Sequence, residues 1–481
     1  MLLKRIAYCG ALLAYYIFLS VCAHKAVYLV PIGLAIINTV IFYVRPRAGL
    51  FMFIPFMLLS EWASRYDIRS TENMASIHTI YFGAFNLFTY MLVFFAAIIL
   101  FRYPFHNGKL TLNRMEKSLS LMILVYIIAA VAGIPNAVYY PREYISDIAP
   151  LVNFLCGYIL IKYLLPDLSG LKDLVWLFLY CFSARALIGI IWNFMGSGYS
   201  EGMVLIPFYD PVGAFPAFVV SVAISILIYT QQQMEKKIFL WGVILISIAF
   251  FLMWPSRAAW IVMISAVFFV CFFSRWKDKI IFFGIVIGVG YLLYLVLRAY
   301  ASEIIDYAMW KISTLQYLSL GLEAPTTISQ RFVEGYNIIR KLVEEWAILW
   351  GKGAGSWFDD KYFTFPIVGE SEQLALSAYS YDQLQAWKFF RPHDTYLIIL
   401  LKAGVIGIVL YMAFIYRYLK TIFLEIRRCK YSDRTAIIVG LSVPFINQLL
   451  GFSPKNYVMA GILFGIIVNI LKDQRNYEHA I

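Results

Sequence analysis

The sequence predicts an all-α polytopic membrane protein with about fourteen transmembrane helices, in the range 12–14, and one long outer loop holding an amphipathic helix. Three observations predict it. The 481 residues are 62% hydrophobic and only 14% charged, where a soluble domain carries about 25% charge. The apolar residues gather in runs approaching the ~20 needed to cross a bilayer as helix. One long polar stretch, residues 299–391, separates about eleven such runs in 1–298 from about three in 392–481, all within a single membrane domain.

In order, the predicted spans lie near 6–23, 26–44, 48–60, 76–101, 117–134, 148–165, 171–195, 210–230, 237–254, 257–273, 279–298, 392–416, 434–450 and 457–471. The first follows Lys4 and Arg5 in the manner of a signal peptide, but a second run comes at once, which favours a retained hairpin. The third is short and reads as tilted or re-entrant. Lys and Arg set the orientation. With the N-terminus inside, the inner loops hold more than half of the 40 basic residues. The short outer loops hold only Lys25, Arg65, Arg69, Arg142, Arg257 and Lys455. Both termini are then cytoplasmic, and the long loop lies outside. The net charge of +12 is explained by these inner loops and gives no reason to invoke nucleic acid. Of six cysteines, five fall in apolar runs and Cys429 in a basic loop, with no metal-ligand spacing.

Within the long loop, Phe332, Tyr336, Ile339, Val343, Trp346 and Trp350 recur at steps of four and three, one face of a helix. Pro325 precedes it and Ser329 is a capping candidate. Arg331, Glu334, Lys341 and Glu345 fall off that stripe. The simplest expectation is an amphipathic helix lying on the outer face of the bundle. Gly351-Lys352-Gly353-Ala354-Gly355 then breaks the chain.

Four cationic or titratable residues gather at the predicted outer face: Arg185 inside the seventh span, Arg257 at a hairpin, Arg331 at the start of the loop helix, and His393 opening the twelfth span. Arginine offers a planar fork of donors that suits phosphate and diphosphate. Histidine, with an ordinary pKa near neutrality, can take a proton from an attacking hydroxyl. The pattern points to a lipid-linked phosphate substrate. Plainer roles compete. Arg257 can anchor at the interface, Arg331 can pair with Glu334, and His393 can cap its helix. Arg185 inside a span costs on the order of 3 kcal/mol, so it should face a polar cavity or pair with a carboxylate. Asp394 either orients His393 or caps the helix. Lys402 should face the bundle interior, with no role assigned, and Gly404 and Gly407 read as a helix-packing face. There is no P-loop and no Asp-x-Asp metal motif. No metal and no cofactor is expected.

Three stretches carry a resemblance to a known family. They are Trp254-Pro255-Ser256-Arg257-Ala258-Ala259-Trp260, Ser329-Gln330-Arg331 through Trp346 to Gly355, and His393-Asp394-Thr395-Tyr396-Leu397 through Gly404-Val405-Ile406-Gly407. Tyr209-Asp210-Pro211 adds a fainter one. Together they resemble the O-antigen ligase and O-antigen polymerase family of bacterial inner membranes, over less than half of the chain. The resemblance implies a helical membrane fold of the glycosyltransferase-C type, placed in the bacterial inner membrane with the long loop periplasmic. It implies metal-independent transfer of glycan from an undecaprenyl diphosphate-linked oligosaccharide, in lipopolysaccharide or exopolysaccharide synthesis. By the same resemblance, Arg257 and Arg331 hold the diphosphate and His393 serves the acceptor hydroxyl or positions the donor. Arg185, Arg391, Asp394 and Tyr396 would line the substrate. A chain-length regulator and other polysaccharide assembly proteins would be partners. The chain departs from the family at Asp394, where Asn is usual, and at Lys402. About fourteen spans favour a polymerase. The rivals are a ligase that moves finished glycan onto lipid A core or protein and, more distantly, a lipid-linked oligosaccharide flippase, which should show two related halves.

Overall fold

Apolar runs of this length become helices because a helix satisfies its own backbone groups where no water is present to do so. The structure is a computed structural model. It describes residues 2–25, 27–60, 75–82, 85–103, 113–194, 199–200, 203–204, 215–253, 257–300, 302, 305–306, 309, 313, 327–365, 381–428, 431–450 and 454–478. Among them are seventeen helices. The first twelve are α1 (Leu2–His24), α2 (Leu29–Val44), α3 (Pro46–Leu59), α4 (Leu87–Arg102), α5 (Arg114–Ala132), α6 (Ile134–Tyr139), α7 (Pro141–Leu164), α8 (Leu168–Phe194), α9 (Phe215–Tyr229), α10 (Met234–Met253), α11 (Arg257–Phe272) and α12 (Trp276–Tyr300). Then come α13 (Thr327–Glu344), α14 (Tyr381–Ala386), α15 (Thr395–Arg428), α16 (Asp433–Leu450) and α17 (Pro454–Glu478).

Each of the fourteen predicted spans falls on one of these helices. Among the described residues four segments, α5, α7, Leu168–Ile191 of α8, and α15, are long and apolar enough to cross a membrane, and several shorter apolar helices accompany them. These helices suggest a multi-pass membrane protein. Two small antiparallel β-hairpins, Tyr81–Phe82 with Phe85–Asn86 and Tyr199–Ser200 with Met203–Val204, are additions the sequence reading lacks. The first explains why α4 begins at Leu87 and not near 76: Asn86 ends the hairpin and caps the helix by accepting from Thr89 N at 3.0 Å.

Local chemistry sets the ends of the other helices that frame the site. At α5, Asn113 and Glu116 form a reciprocal capping box at 2.8 and 2.7 Å. Glu116 also accepts from Lys162 Nζ at 2.6 Å, which ties α5 to α7. α7 packs along α17. A Cβ at Gly461 would stand 2.0 Å from the Phe154 carbonyl oxygen, so only glycine permits this approach. Gly461 and Gly465 form the small-xxx-small pattern of close helix crossings in membranes.

The decisive irregularity is in α15. Gly404 has φ 66° and ψ −165°, which breaks the helix after Thr395–Ala403. In an unbroken helix Val405 N would bond Leu401 O, and Ile406 N would bond Lys402 O. Here the chain around Gly351 takes up all four groups. Lys352 N donates to Leu401 O (2.8 Å), Gly353 N to Lys402 O (3.0 Å), Val405 N to Ile348 O (3.0 Å) and Ile406 N to Leu349 O (3.2 Å). Gly404 is therefore no simple packing glycine, as the sequence reading expects. It opens the helix so that the glycine turn can be spliced into it. A Cβ at Gly404 would lie 2.3 Å from Leu349 O.

Gly404→Ala should therefore lower the thermal midpoint of the detergent-solubilised protein sharply, since strain in this backbone region alone costs about 1–3 kcal/mol. Gly242→Ala, with nothing within 4 Å of its Cβ, should leave the midpoint unchanged or slightly raised. Equal midpoints for the two variants would count against the splice.

Candidate functional site

α13 has two stripes at helical spacing, one apolar and one polar. The sequence reading lays the apolar stripe on the bundle, and the structure corrects it. Gln330, Val333, Glu334, Asn337, Ile338, Lys341 and Leu342 are buried, while Phe332, Tyr336, Ile339, Val343 and Trp346 are exposed. The buried polar side chains are all engaged. Asn337 Nδ2 donates to Phe363 O at 2.7 Å, and its Oδ1 accepts from the Tyr362 and Phe363 amides at 3.0 Å each. Lys341 Nζ pairs with Asp359 at 3.0 Å and lies 3.4 Å from the centre of the Trp357 ring. Burial pushes the Lys341 ammonium below the ordinary lysine range, and the Asp359 carboxylate offsets this only in part.

Glu334, 0% exposed, grips His393 at two points. Its Oε1 lies 2.5 Å from His393 Nδ1, and its Oε2 accepts from the His393 backbone N at 2.9 Å. Gln330 Nε2 reaches the same carboxylate at 3.4 Å. With Glu334 ionised, this contact puts the ring proton on Nδ1 and the lone pair on Nε2. A carboxylate that fixes a histidine's tautomer and stabilises its protonated form is the working arrangement of a general base. Thr395 then anchors the start of α15 by donating to Leu450 O at 2.5 Å.

Beneath the histidine a second cluster centres on Asp147 of α7. It accepts from Gly355 N (2.8 Å), Lys402 Nζ (2.7 Å) and Arg391 Nε (3.3 Å). Lys402 also donates to Ser356 O at 2.5 Å, and Arg391 donates to Ser146 Oγ at 2.5 Å. Asn136 Nδ2 donates to the Lys352 and Ala354 carbonyls at 2.9 and 3.1 Å. Lys402, without a role in the sequence reading, is thus the clamp that holds the glycine turn against α7.

No family model and no curated protein matches this chain.

The structure places the predicted residues in different settings. Arg331 is exposed, one helical turn before Glu334, and the Glu334 carboxylate, its alternative partner in the plainer reading, engages His393. Arg391 is half-buried on Asp147 and Ser146. Asp394 precedes the first residue of α15, its carbonyl accepting from Ile398 N at 3.0 Å, while Glu334 orients the histidine. Tyr396 is exposed on the first turn. Arg185 lies buried among the helices, where a backbone carbonyl is one of its partners. Its guanidinium donates to Leu58 O at 2.7 Å and stands 5.5 Å from the Tyr16 ring centre. Beside it, His78 Nε2 contacts Met57 O at 3.1 Å and Ser60 Oγ donates to Phe56 O at 2.6 Å. Arg185 and His78 thus serve carbonyls that the end of α3 leaves open, at Leu58 and Met57, and a cation there also suits the helix dipole. Arg257 begins α11 and is described by its backbone alone. Trp254–Ser256 and Tyr209–Pro211 lie outside the described residues.

Sequence reasoning missed Glu334 and Asp147. For Glu334 a signal existed: Gln330, Glu334, Asn337 and Lys341 repeat at helical spacing opposite the apolar stripe. Asp147 gave no signal beyond being an acid near the start of a span.

Lys402→Ala should cost roughly 3–5 kcal/mol, because it leaves Asp147 buried with one cation fewer. Replacing both partners, Lys402→Met with Asp147→Leu, should recover most of that loss. Thermal unfolding of the two variants and the native chain checks this; equal destabilisation by both would show that the pair is not the clamp.

Proposed function

We propose that the chain is a bacterial surface-polysaccharide polymerase, a metal-independent glycosyltransferase of the inner membrane. It transfers glycan from an undecaprenyl diphosphate-linked donor to a hydroxyl of the next lipid-linked repeat unit. The observation that carries this reading is the Glu334–His393 dyad, one helical turn from Arg331, at one end of a bundle of apolar helices. In the proposed orientation fourteen helices span the bilayer, both termini are cytoplasmic, and the loop bearing α13 is periplasmic.

In this mechanism the acceptor hydroxyl gives its proton to His393 Nε2 as its oxygen attacks the anomeric carbon. The bond from that carbon to the diphosphate oxygen breaks on the opposite face, with inversion. Glu334 stabilises the imidazolium that forms. Arg331 and Arg257 take up the charge on the departing undecaprenyl diphosphate. Arg391 and Lys402 place two cations on one buried carboxylate and hold the frame on which the histidine stands. The resemblance to O-antigen polymerases and ligases supports the substrate class.

Deletion in the native bacterium, complemented with native, His393→Ala or Glu334→Gln protein, tests the reading on a gel of surface glycan. The deletion and His393→Ala should yield a single-repeat product. A positioned general base contributes about 10²- to 10⁴-fold to rate, so Glu334→Gln should give fewer and shorter chains at unchanged protein level. Full-length glycan left on its lipid carrier and absent from core would point to a ligase. Native-length surface glycan from His393→Ala would remove the histidine from the chemistry.

A further inference from the structure

α13 presents Phe332, Tyr336, Ile339, Val343 and Trp346 away from the protein, with Val343 53% and Trp346 93% exposed. At ~100° per residue the first four fall within about 60° of arc, diametrically opposite the buried polar stripe. An apolar surface of this kind rarely faces water alone. Two further features say what covers it. Arg331 and Arg340, both exposed, stand about a quarter turn to either side of the stripe. Arg340 Nε lies 3.2 Å from the Tyr336 hydroxyl, along the edge of the apolar face. This is how long cations reach from an apolar surface to headgroup phosphates. The chain that carries the stripe is also bonded to a helix long and apolar enough to cross a membrane. Beyond Trp346 the chain joins α15 through the Leu349–Ile406 hydrogen bond, and from there Val405, Val409, Met412 and Tyr416 run down one exposed face of α15.

We propose that the apolar face of α13 is immersed in one leaflet of the lipid bilayer. Acyl chains cover the stripe, and Arg331 and Arg340 reach the headgroups. The helix thereby holds Glu334, and through it His393, at the level of the lipid headgroups. The inference rests on the multi-pass membrane reading but not on the glycan chemistry.

Spin labels on Ile339→Cys, Val343→Cys, Glu344→Cys and Val409→Cys test it in vesicles of phosphatidylethanolamine and phosphatidylglycerol. Labelled native protein sets the background from its own cysteines. Oxygen, which partitions into lipid, should relax the labels at 339 and 343 several-fold more effectively than a water-soluble nickel chelate. The label at 344 should show the reverse. Labels at 339 and 343 reached by the chelate as readily as that at 344 would overturn the proposal, because the stripe would then face water or a sugar-binding groove. Labels at 339 and 343 reached by neither reagent would also overturn it, in favour of a protein partner or second copy. If the label at 409 is open to the chelate as well, the failure belongs to the membrane reading itself.

Discussion

Four backbone groups in α15 hold this architecture together. Leu401 O, Lys402 O, Val405 N and Ile406 N lose their helical partners at Gly404, and unpaired polar groups in an apolar interior cost several kcal/mol each. The glycine turn supplies a partner for every one of them. Neither element is satisfied alone: the helix needs the turn to close its break, and the turn needs the helix to pair its own amides. Side chains then secure the splice. Asp147 binds the turn at Gly355 N and the helix at Lys402, so one carboxylate from α7 holds both halves. Irregular backbone in an apolar bundle is tolerated where protein surrounds it, and here protein surrounds it on all the contacted sides.

The position of α13 follows from the splice. The chain leaving this helix is tied to α15 at Ile348, Leu349, Lys352 and Gly353, and its first half is tied to the residue before α15 through Glu334 and His393. Held at both ends, the helix has one choice left, which face to turn inward. Inward, it meets a bed with specific polar demands: the His393 amide and ring, the Tyr362 and Phe363 amides, and Asp359. Only the polar stripe answers them. The small cluster of Val333, Ile338 and Leu342 with Phe358, Phe389, Leu400 and Leu401 fills the space between those contacts.

Much of the helical plan was legible because burial in lipid or protein demands the same long apolar runs, and those runs dominate the composition. The amphipathic period of α13 and the glycine break after it were readable for the same reason. Its facing was not. Periodicity shows that a helix has two faces, but which one turns inward depends on whether water or lipid lies outside. For Arg185 the sequence showed a buried cation's need for oxygen without saying whose; the end of α3, which carries Pro55, supplies one carbonyl, Leu58 O. Likewise His393 announced itself by its place at a helix start, while its partner lay 59 residues earlier in the chain. Pairings at such separation are set by the tertiary fold and leave no local pattern.

The splice at Gly404 also imposes an order on biogenesis. A ribosome makes the glycine turn before it makes α15, and α5 and α7 long before either. When the turn emerges, its docking site on α5 and α7 is half built, and the carbonyls and amides it must pair with do not yet exist. It therefore cannot settle until α15 has been made and has taken its place beside α5. The completed α13 segment has to wait in the same way, because Glu334 precedes its histidine in synthesis. In this chain a helix made late locks the earlier loop, so the frame around Asp147 and Glu334 is complete only once α15 is in place.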